Sequence, residues 1–473
     1  MKKVLAMDMG ATSVRGILGY VSEGALVTEE VMRMSHDIVN DQGRMRWQWK
    51  KLLDKVTETI FRLGEEIASV GIDTWGVDFG LIDREGNLVA DPVSYRDPDN
   101  QKGYEKALEI MDAQDIFLKT GNQIMPINTL FQLITLKEEY RDEWNKADQV
   151  LLMPDLFNYM LTGNRTAEET ILSTTQIFDL KERRLSREIL DRFGIPAALF
   201  PPIVRAGTVA GNTRNSRVEA LRSLDIQVIS VCGHDTASAV LLTDAFRNPD
   251  SLFLSCGTWS LLGGLTDQAI LETRAFDKSL TNELGYGSRN MFFKNITGLY
   301  LLEKFRKQMG ERCGAIPSFE EITAYVKQDT GTYGVIDMED PRLGDEDMDA
   351  KAAIDACLKS TGQSCPLEDM GYFKVIYESL VDKYVETVHA IQEVSGRDYS
   401  ALHIIGGGAR SPLICQMVAD RMNLPVKAGP FEATALGNII TQLAALGEVD
   451  TIQEGIRLAW NSSNVIKYHP TMN

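Results

Sequence analysis

The chain has 473 residues, 44% hydrophobic and 25% charged, which is longer than one hydrophobic core usually serves and ordinary in composition for a globular protein. Two large domains are therefore expected, without low-complexity or disordered tracts. Its 49 Lys+Arg against 67 Asp+Glu leave a formal net charge of −18. That balance argues against nucleic acid or an anionic membrane as partner, because phosphate binding needs a basic footprint. Any anionic ligand must be held by backbone N–H groups, a few local cations and metal.

Met1-Lys2-Lys3 opens like a signal peptide, but Asp8 breaks the apolar run after four residues, too early for a secretory core. No stretch approaches the ~18 apolar residues of a membrane span. Val4-Leu5-Ala6-Met7 and Val14–Tyr20 read as two strands joined by the polar turn Asp8-Met9-Gly10-Ala11-Thr12-Ser13. Helical patterns follow over Trp47–Ile67 and Tyr104–Met111, with a single strand expected over Val70–Phe79 between them. Val228–Val231 leads through Cys232-Gly233-His234-Asp235-Thr236 into the helix-like Ala237–Leu242.

The same two devices then recur. Leu252–Ser255 turns through Cys256-Gly257-Thr258-Trp259-Ser260 into Leu261–Leu265. Leu402–Ile405 enters Gly406-Gly407-Gly408 and a helix over Leu413–Asp420 with Pro412 near its first turn. The longest helix candidate is Tyr372–Glu393, and the acidic stretch Asp337–Asp349 reads as an exposed excursion. The order hairpin, step, hairpin, step argues for two related α/β domains facing each other across a cleft. We place them at 1–245 and 246–473. The six cysteines show no CxxC and no zinc-like spacing, which fits free thiols in a reducing cytoplasm. Cys357 and Cys365 share a loop-like segment and are the pair that oxidation could join.

Small residues in a tight turn leave successive N–H groups open to phosphate oxygens, and Thr12, Ser13 and Thr258 add hydroxyl donors. Asp8, at the end of the first strand, reads either as a cap on that turn or as a partner for Mg²⁺ through its waters. Asp235 reads either as a helix cap or, amid Gly233, His234 and Thr236, as part of a lined site. GxxxxGK[ST], a GxGxxG after the first strand, HExxH and GxSxG are all absent, which removes the P-loop, dinucleotide, zinc-protease and serine-hydrolase readings.

Taken together, the Asp8–Ser13 turn, Gly71–Phe79, Tyr95-Arg96-Asp97, Met153-Pro154-Asp155, Gly233–Ala237, Ser255–Ser260, Gly406–Gly408 and Gly429–Asn438 resemble the FGGY carbohydrate kinase family of the actin-like ATPase superfamily. The motifs stand in family order over nearly the whole chain. The resemblance implies two ribonuclease-H-like domains, ATP with Mg²⁺, and Asp235 as the general base. It also implies Ala11, Thr12, Ser13, Val14, Arg15, Thr258, Glu303 and Gly407 as ATP contacts, and Gly76, His234, Asp235, Thr236 and Asn295 as sugar contacts. Asp8 would hold the metal through water. Glu303 departs from the family pattern, which has Gln there, and Cys256 replaces Ser in the second turn.

The implied reaction is phosphorylation of a ketose 1-hydroxyl, L-rhamnulose first, since the IDTWGVDF and GHDTASAV runs are the most particular. L-fuculose or xylulose, or a non-catalytic actin-like nucleotide-binding role, are the competing readings. Oligomeric state is not legible.

Overall fold

Val4, Leu5, Ala6 and Met7 are fully buried, and the strand they form runs on to Met9. This β1 (Lys3–Met9) pairs antiparallel with β2 (Ser13–Ser22), with Asp8 opposite Arg15 and Met9 opposite Val14. The computed structural model describes residues 2–344 and 348–471. They fall into two units: Met1–Leu242 with Leu265–Phe292 and Glu432–Asn464, and Thr243–Gly264 with Phe293–Phe431 and Val465–Asn473.

In the first unit β3 (Ala25–Ser35), β4 (Ile67–Thr74), β5 (Thr208–Asn212) and β6 (Gln227–Ser230) complete a six-stranded sheet ordered β5-β6-β4-β1-β2-β3. β1, β4 and β6 are mutually parallel, and the outer pairs are antiparallel. Parallel strands buried on both faces need cover on both. Leu5, Met7, Val70 and Ile72 share a core with Trp49, Leu52, Val56 and Ile60 of the helix Trp49–Leu63 and with Leu156 and Phe157 of Met153–Thr162. Residues of the other parity meet the helix Ala433–Ala445: Asn438 Nδ2 donates to Gly71 O at 3.1 Å, and Ser69 Oγ donates to Gln442 Oε1 at 2.7 Å.

The expected strand Val70–Phe79 is two strands. β4 ends at Thr74, and Phe79–Ile82 pairs elsewhere, with Gln149–Leu152. Between them the chain turns, with Asp78 N–H on Gly76 O and Val77 at φ 67°. The turn is fixed by a buried carboxylate: Asp78 accepts from the Trp47 and Trp75 indoles, Tyr95 N–H and Gln132.

A second, seven-stranded sheet repeats the plan. β7 (Ser251–Cys256) and β8 (Trp259–Thr266) form the hairpin, and β9 (Thr281–Leu284), β10 (Asn290–Thr297), β11 (Ala401–Ile405), β12 (Val426–Ala428) and β13 (Ile466–Tyr468) complete the order β9-β10-β8-β7-β11-β12-β13. As in the first sheet, the hairpin's first strand takes a parallel neighbour and that strand a second parallel one. The two related α/β domains expected from the paired devices, and the ribonuclease-H-like fold that the resemblance implies, are borne out. The long helix is Asp369–Ser395.

In the acidic stretch, Asp345, Glu346 and Asp347 lie outside the described residues. The rest is not a simple exposed excursion, because Met338, Leu343 and Met348 are buried. Cys357 is also not in a loop: it is buried on the helix Ala350–Ser360, and all six cysteines are unpaired. Among the described residues no helix is long and apolar enough to cross a membrane.

One contact sets the approach of two helices in the first unit. A Cβ on Gly437 would lie 2.0 Å from Ser238 O, a backbone atom of the helix Asp235–Val240. Alanine favours an isolated helix over glycine by about 1 kcal/mol. Gly437→Ala is nevertheless expected to lower unfolding stability by about 1–3 kcal/mol, because a backbone clash cannot relax by a rotamer change. Urea denaturation of the variant checks the sign.

Candidate active site

The register of β2, β1 and β4 lines up Arg15, Asp8 and Asp73 across three adjacent strands. Asp8 is 3% exposed, and Arg15 Nη2 donates to its Oδ2 at 2.6 Å while Nη1 donates to Glu432. Burial pushes Asp8 up to about 6, with Arg15 pulling it down and Asp235 and Glu432 pushing it further up. Asp73 is fully buried and raised well above the usual carboxylate range, by burial first and then by Asp8, against a 2.6 Å bond from Asn438. Its Oδ1 has no hydrogen-bond partner.

This row leads directly into the first turn. Gly10 N–H donates to Ser13 O at 2.9 Å, and His36 braces the turn from the side, its Nε2 on Gly10 O at 2.8 Å and its N–H on Thr12 O at 3.2 Å. Thr12 is exposed, and Ala11 and Ser13 are partly so. The Val14 side chain is fully buried, so any ligand contact there falls to its main chain.

At the end of β4, Thr74 N–H donates to Gly233 O at 2.8 Å and so fixes the 233–236 turn beside the carboxylate row. The cap position of the helix Asp235–Val240 falls to His234, whose side chain makes no cap bond, and Asp235 is the first helical residue. Asp235 Oδ1 accepts from Thr236 N–H at 2.6 Å and Oγ1 at 3.3 Å, and the side chain keeps 31% of its surface open. Burial raises the Asp235 carboxyl above its usual range, opposed by His234 and Thr236.

A short segment supports both loops that carry the expected sugar contacts. Glu168 Oε2 accepts from Gly233 N–H at 2.9 Å, from Thr170 N–H at 3.0 Å and from Ile171 N–H at 3.2 Å. Thr174 Oγ1 accepts from Val77 N–H at 3.1 Å, next to Gly76. The acidic residues of three motifs act as buried braces: Asp78 as described, Asp97 on Arg44 and Met45 N–H, and Asp155 on Glu168 N–H.

In the second unit Gly257 N–H closes its turn on Trp259 O at 2.8 Å. Gly298 and Leu299 donate to Thr258 O and Gly257 O, which ties the start of the helix Tyr300–Cys313 to the same turn. Glu303 lies in the first turn of that helix, its carboxylate held by Arg306 at 3.0 Å. The three glycines pack on Cys256: a Cβ would come 2.9 Å from Cys256 O at Gly406 and 2.2 Å from Cys256 Sγ at Gly408, while at Gly407 the nearest atom is 3.9 Å away. Thr258, Gly407 and Glu303 thus belong to one neighbourhood. Asn295 lies on β10, beside the buried Lys294 that pairs with Glu339 at 2.9 Å.

Sequence reasoning did not single out Asp73, Glu168, Glu283 or Glu432. The run Ala167-Glu168-Glu169-Thr170, two carboxylates just before an apolar helix, carried a capping signal that could have marked Glu168.

Residues 3–241 match the N-terminal domain of the FGGY family of carbohydrate kinases, and residues 252–446 match its C-terminal domain. The chain belongs to the FGGY family of carbohydrate kinases. Within that family it is 36% identical to a rhamnulokinase of Bacteroides thetaiotaomicron over 98% of this chain and 95% of that protein. It is 33% identical to a rhamnulokinase of Halalkalibacterium halodurans over 98% of each. Among solved structures, a ligand-bound xylulose kinase from Lactobacillus acidophilus superposes with a TM-score of 0.80 at 18% identity, over 100% of this chain and 94% of that one. The ADP-bound glycerol kinase of Plasmodium falciparum does so with 0.80 at 15% identity, over 100% and 95%. Those two share the fold.

The glycine geometry separates two substitutions. Gly408→Ala is expected to cost about 1–3 kcal/mol of stability by driving a methyl into Cys256. Gly407→Ala has room in the free protein, so its melting temperature should match the parent while KM for ATP rises. Thermal melts and ATP titrations of both variants check this.

Proposed function

We propose that this carbohydrate kinase transfers the γ-phosphoryl group of ATP to the 1-hydroxyl of L-rhamnulose, with Asp235 as general base, in the cytoplasm where ATP is available. The observation that carries the reading is the Asp235 carboxylate, open at the end of a braced turn and flanked by His234 and Thr236, in a chain 36% identical to a rhamnulokinase over nearly its whole length. A primary hydroxyl is a weak nucleophile. Its oxygen attacks the γ-phosphorus as its proton passes to Asp235, and ADP leaves. A carboxylate whose pKa is raised by burial takes up a proton more readily than one in water, which suits it to the role of acceptor.

Sugar contacts fall to Gly76, His234, Asp235, Thr236 and Asn295, and ATP contacts to residues 11–15, Thr258, Gly407 and Glu303, as the family resemblance implies. The pairing of Glu303 with Arg306 supports a contact made by the two side chains together, which answers the discomfort of a lone carboxylate near phosphate.

Mg²⁺ fits the residues present. Asp8 and Asp73 repel each other beside Arg15, and Asp73 Oδ1 lacks a partner, so the surroundings of the Asp8 carboxylate stay negative and suit a hard cation. Among the described residues no group of three or more His, Cys, Asp or Glu side chains could hold an ion directly, which supports attachment of Asp8 through water. When bound with ATP, Mg²⁺ neutralises charge on the phosphates. Arg15 meanwhile keeps the Asp8 carboxylate in place.

ADP release measured across a panel of ketoses tests the assignment. L-Rhamnulose is expected to give the highest kcat/KM, and excess EDTA to abolish turnover. Faster turnover of L-fuculose or xylulose would overturn the substrate, and full activity in EDTA would overturn the metal.

A further inference from the structure

A carboxylate from a distant segment faces the imidazole beside Asp235. Glu283 lies on β9, whose backbone is pinned on either side of it: Asn282 N–H donates to Gly121 O at 2.8 Å, and Leu284 N–H to Ser173 Oγ at 2.8 Å. Glu283 Oε2 lies 3.1 Å from His234 Nδ1, and His234 Nε2 lies 3.4 Å from Asp235 Oδ1. His234 and Glu283 are 7% and 6% exposed, and neither Nδ1 nor Oε2 has an aligned hydrogen-bond partner of its own.

Both ring nitrogens therefore face oxygens of carboxyl groups. An ionised carboxylate only accepts, so a neutral imidazole, with one N–H, would leave one nitrogen lone pair of a buried ring against a carboxylate. An imidazolium satisfies both sides. We propose that Glu283 is a positioning residue for the base: it holds His234 as an imidazolium against Asp235 and so keeps Asp235 ready to accept the sugar proton. The proposal rests on the reading of Asp235 as the base.

Other groups act on this pair. Arg15 adds positive charge toward Asp235, and Asp8, Asp73 and Glu168 add negative charge around the two residues. Burial would pull His234 down, but Glu283, Asp235 and Glu168 outweigh it, and the imidazole is raised above its ordinary value. The sign for a variant follows. Glu283→Gln removes the charge that sustains the imidazolium, His234 becomes neutral, and Asp235 loses its adjacent cation. A carboxyl that loses a cation within about 4–6 Å rises by at least about one pKa unit.

The test is the pH profile of kcat/KM for L-rhamnulose in the parent, Glu283→Gln and Glu283→Asp. Glu283→Gln is expected to move the acid limb up by about one pH unit, a roughly tenfold loss of rate below the limb. Glu283→Asp should restore most of it. If the parent shows an acid limb and Glu283→Gln leaves it in place, Glu283 is only structural and the proposal fails. If the parent has no acid limb, the base reading itself fails. Ring-labelled histidine NMR on the unmodified protein, with the His234 signal assigned by its loss in His234→Gln, decides the charge state even if Glu283→Gln does not fold. A ring that loses its second proton only above pH 6.5 is expected, and one that titrates below 6.5 would overturn the proposal.

Discussion

The constraint on which the rest depends is the crowding of carboxylates at the ends of the parallel strands of the first sheet. Asp8 and Asp73 sit side by side in register, almost fully buried, and Asp235 follows on the next turn. Such a cluster costs folding free energy, because each charge is taken from water and then placed near another. One arginine from the adjacent strand offsets part of it, and Glu432 divides that arginine's attention. A site that keeps negative charge in excess favours a hard cation over a bare anion. Burial raises both the Asp8 and the Asp235 carboxyls above their usual range, and at Asp8 the neighbouring carboxylates add to it.

Around this row the protein relies on main-chain placement. Thr74 fixes the Gly233 turn through one backbone bond, Glu168 fixes it through another, and His36 holds the Gly10 turn from behind. None of these braces needs to touch a ligand, yet each determines where a ligand-facing group stands. In the second unit glycine plays the corresponding part. Gly406 and Gly408 are consumed by packing on Cys256, which leaves Gly407 as the open member of the three.

Much of the fold was legible because its signals are local. Strand, small-residue turn, strand is written in fewer than twenty consecutive residues, and both hairpins and both strand–glycine–helix steps lie within a few residues of where they were expected. Asp8 and Asp235 were legible for the same reason. The strand over Val70–Phe79 was misread because the break at Trp75–Asp78 depends on donors from Trp47, Tyr95 and Gln132, and no pattern inside the run encodes them. The partners of the site were hidden by distance along the chain. Glu168 reaches Gly233 across 65 residues, Asn438 reaches Asp73 across 365, and Glu432 reaches Arg15 across 417. A carboxylate brought in by tertiary contact resembles, in sequence, any of the surface acids of a protein with net charge −18.

The central claim is that Asp235 takes the proton of the attacking hydroxyl and does not merely steady the start of its helix. Asp235→Asn keeps the shape and the acceptor for Thr236 N–H but removes the proton acceptor. The decisive measurement is kcat of that variant alongside its affinities for sugar and ATP. The account predicts a loss of about 10²–10⁴-fold in kcat with both ligands still bound. A rate within a few-fold of the parent would contradict it.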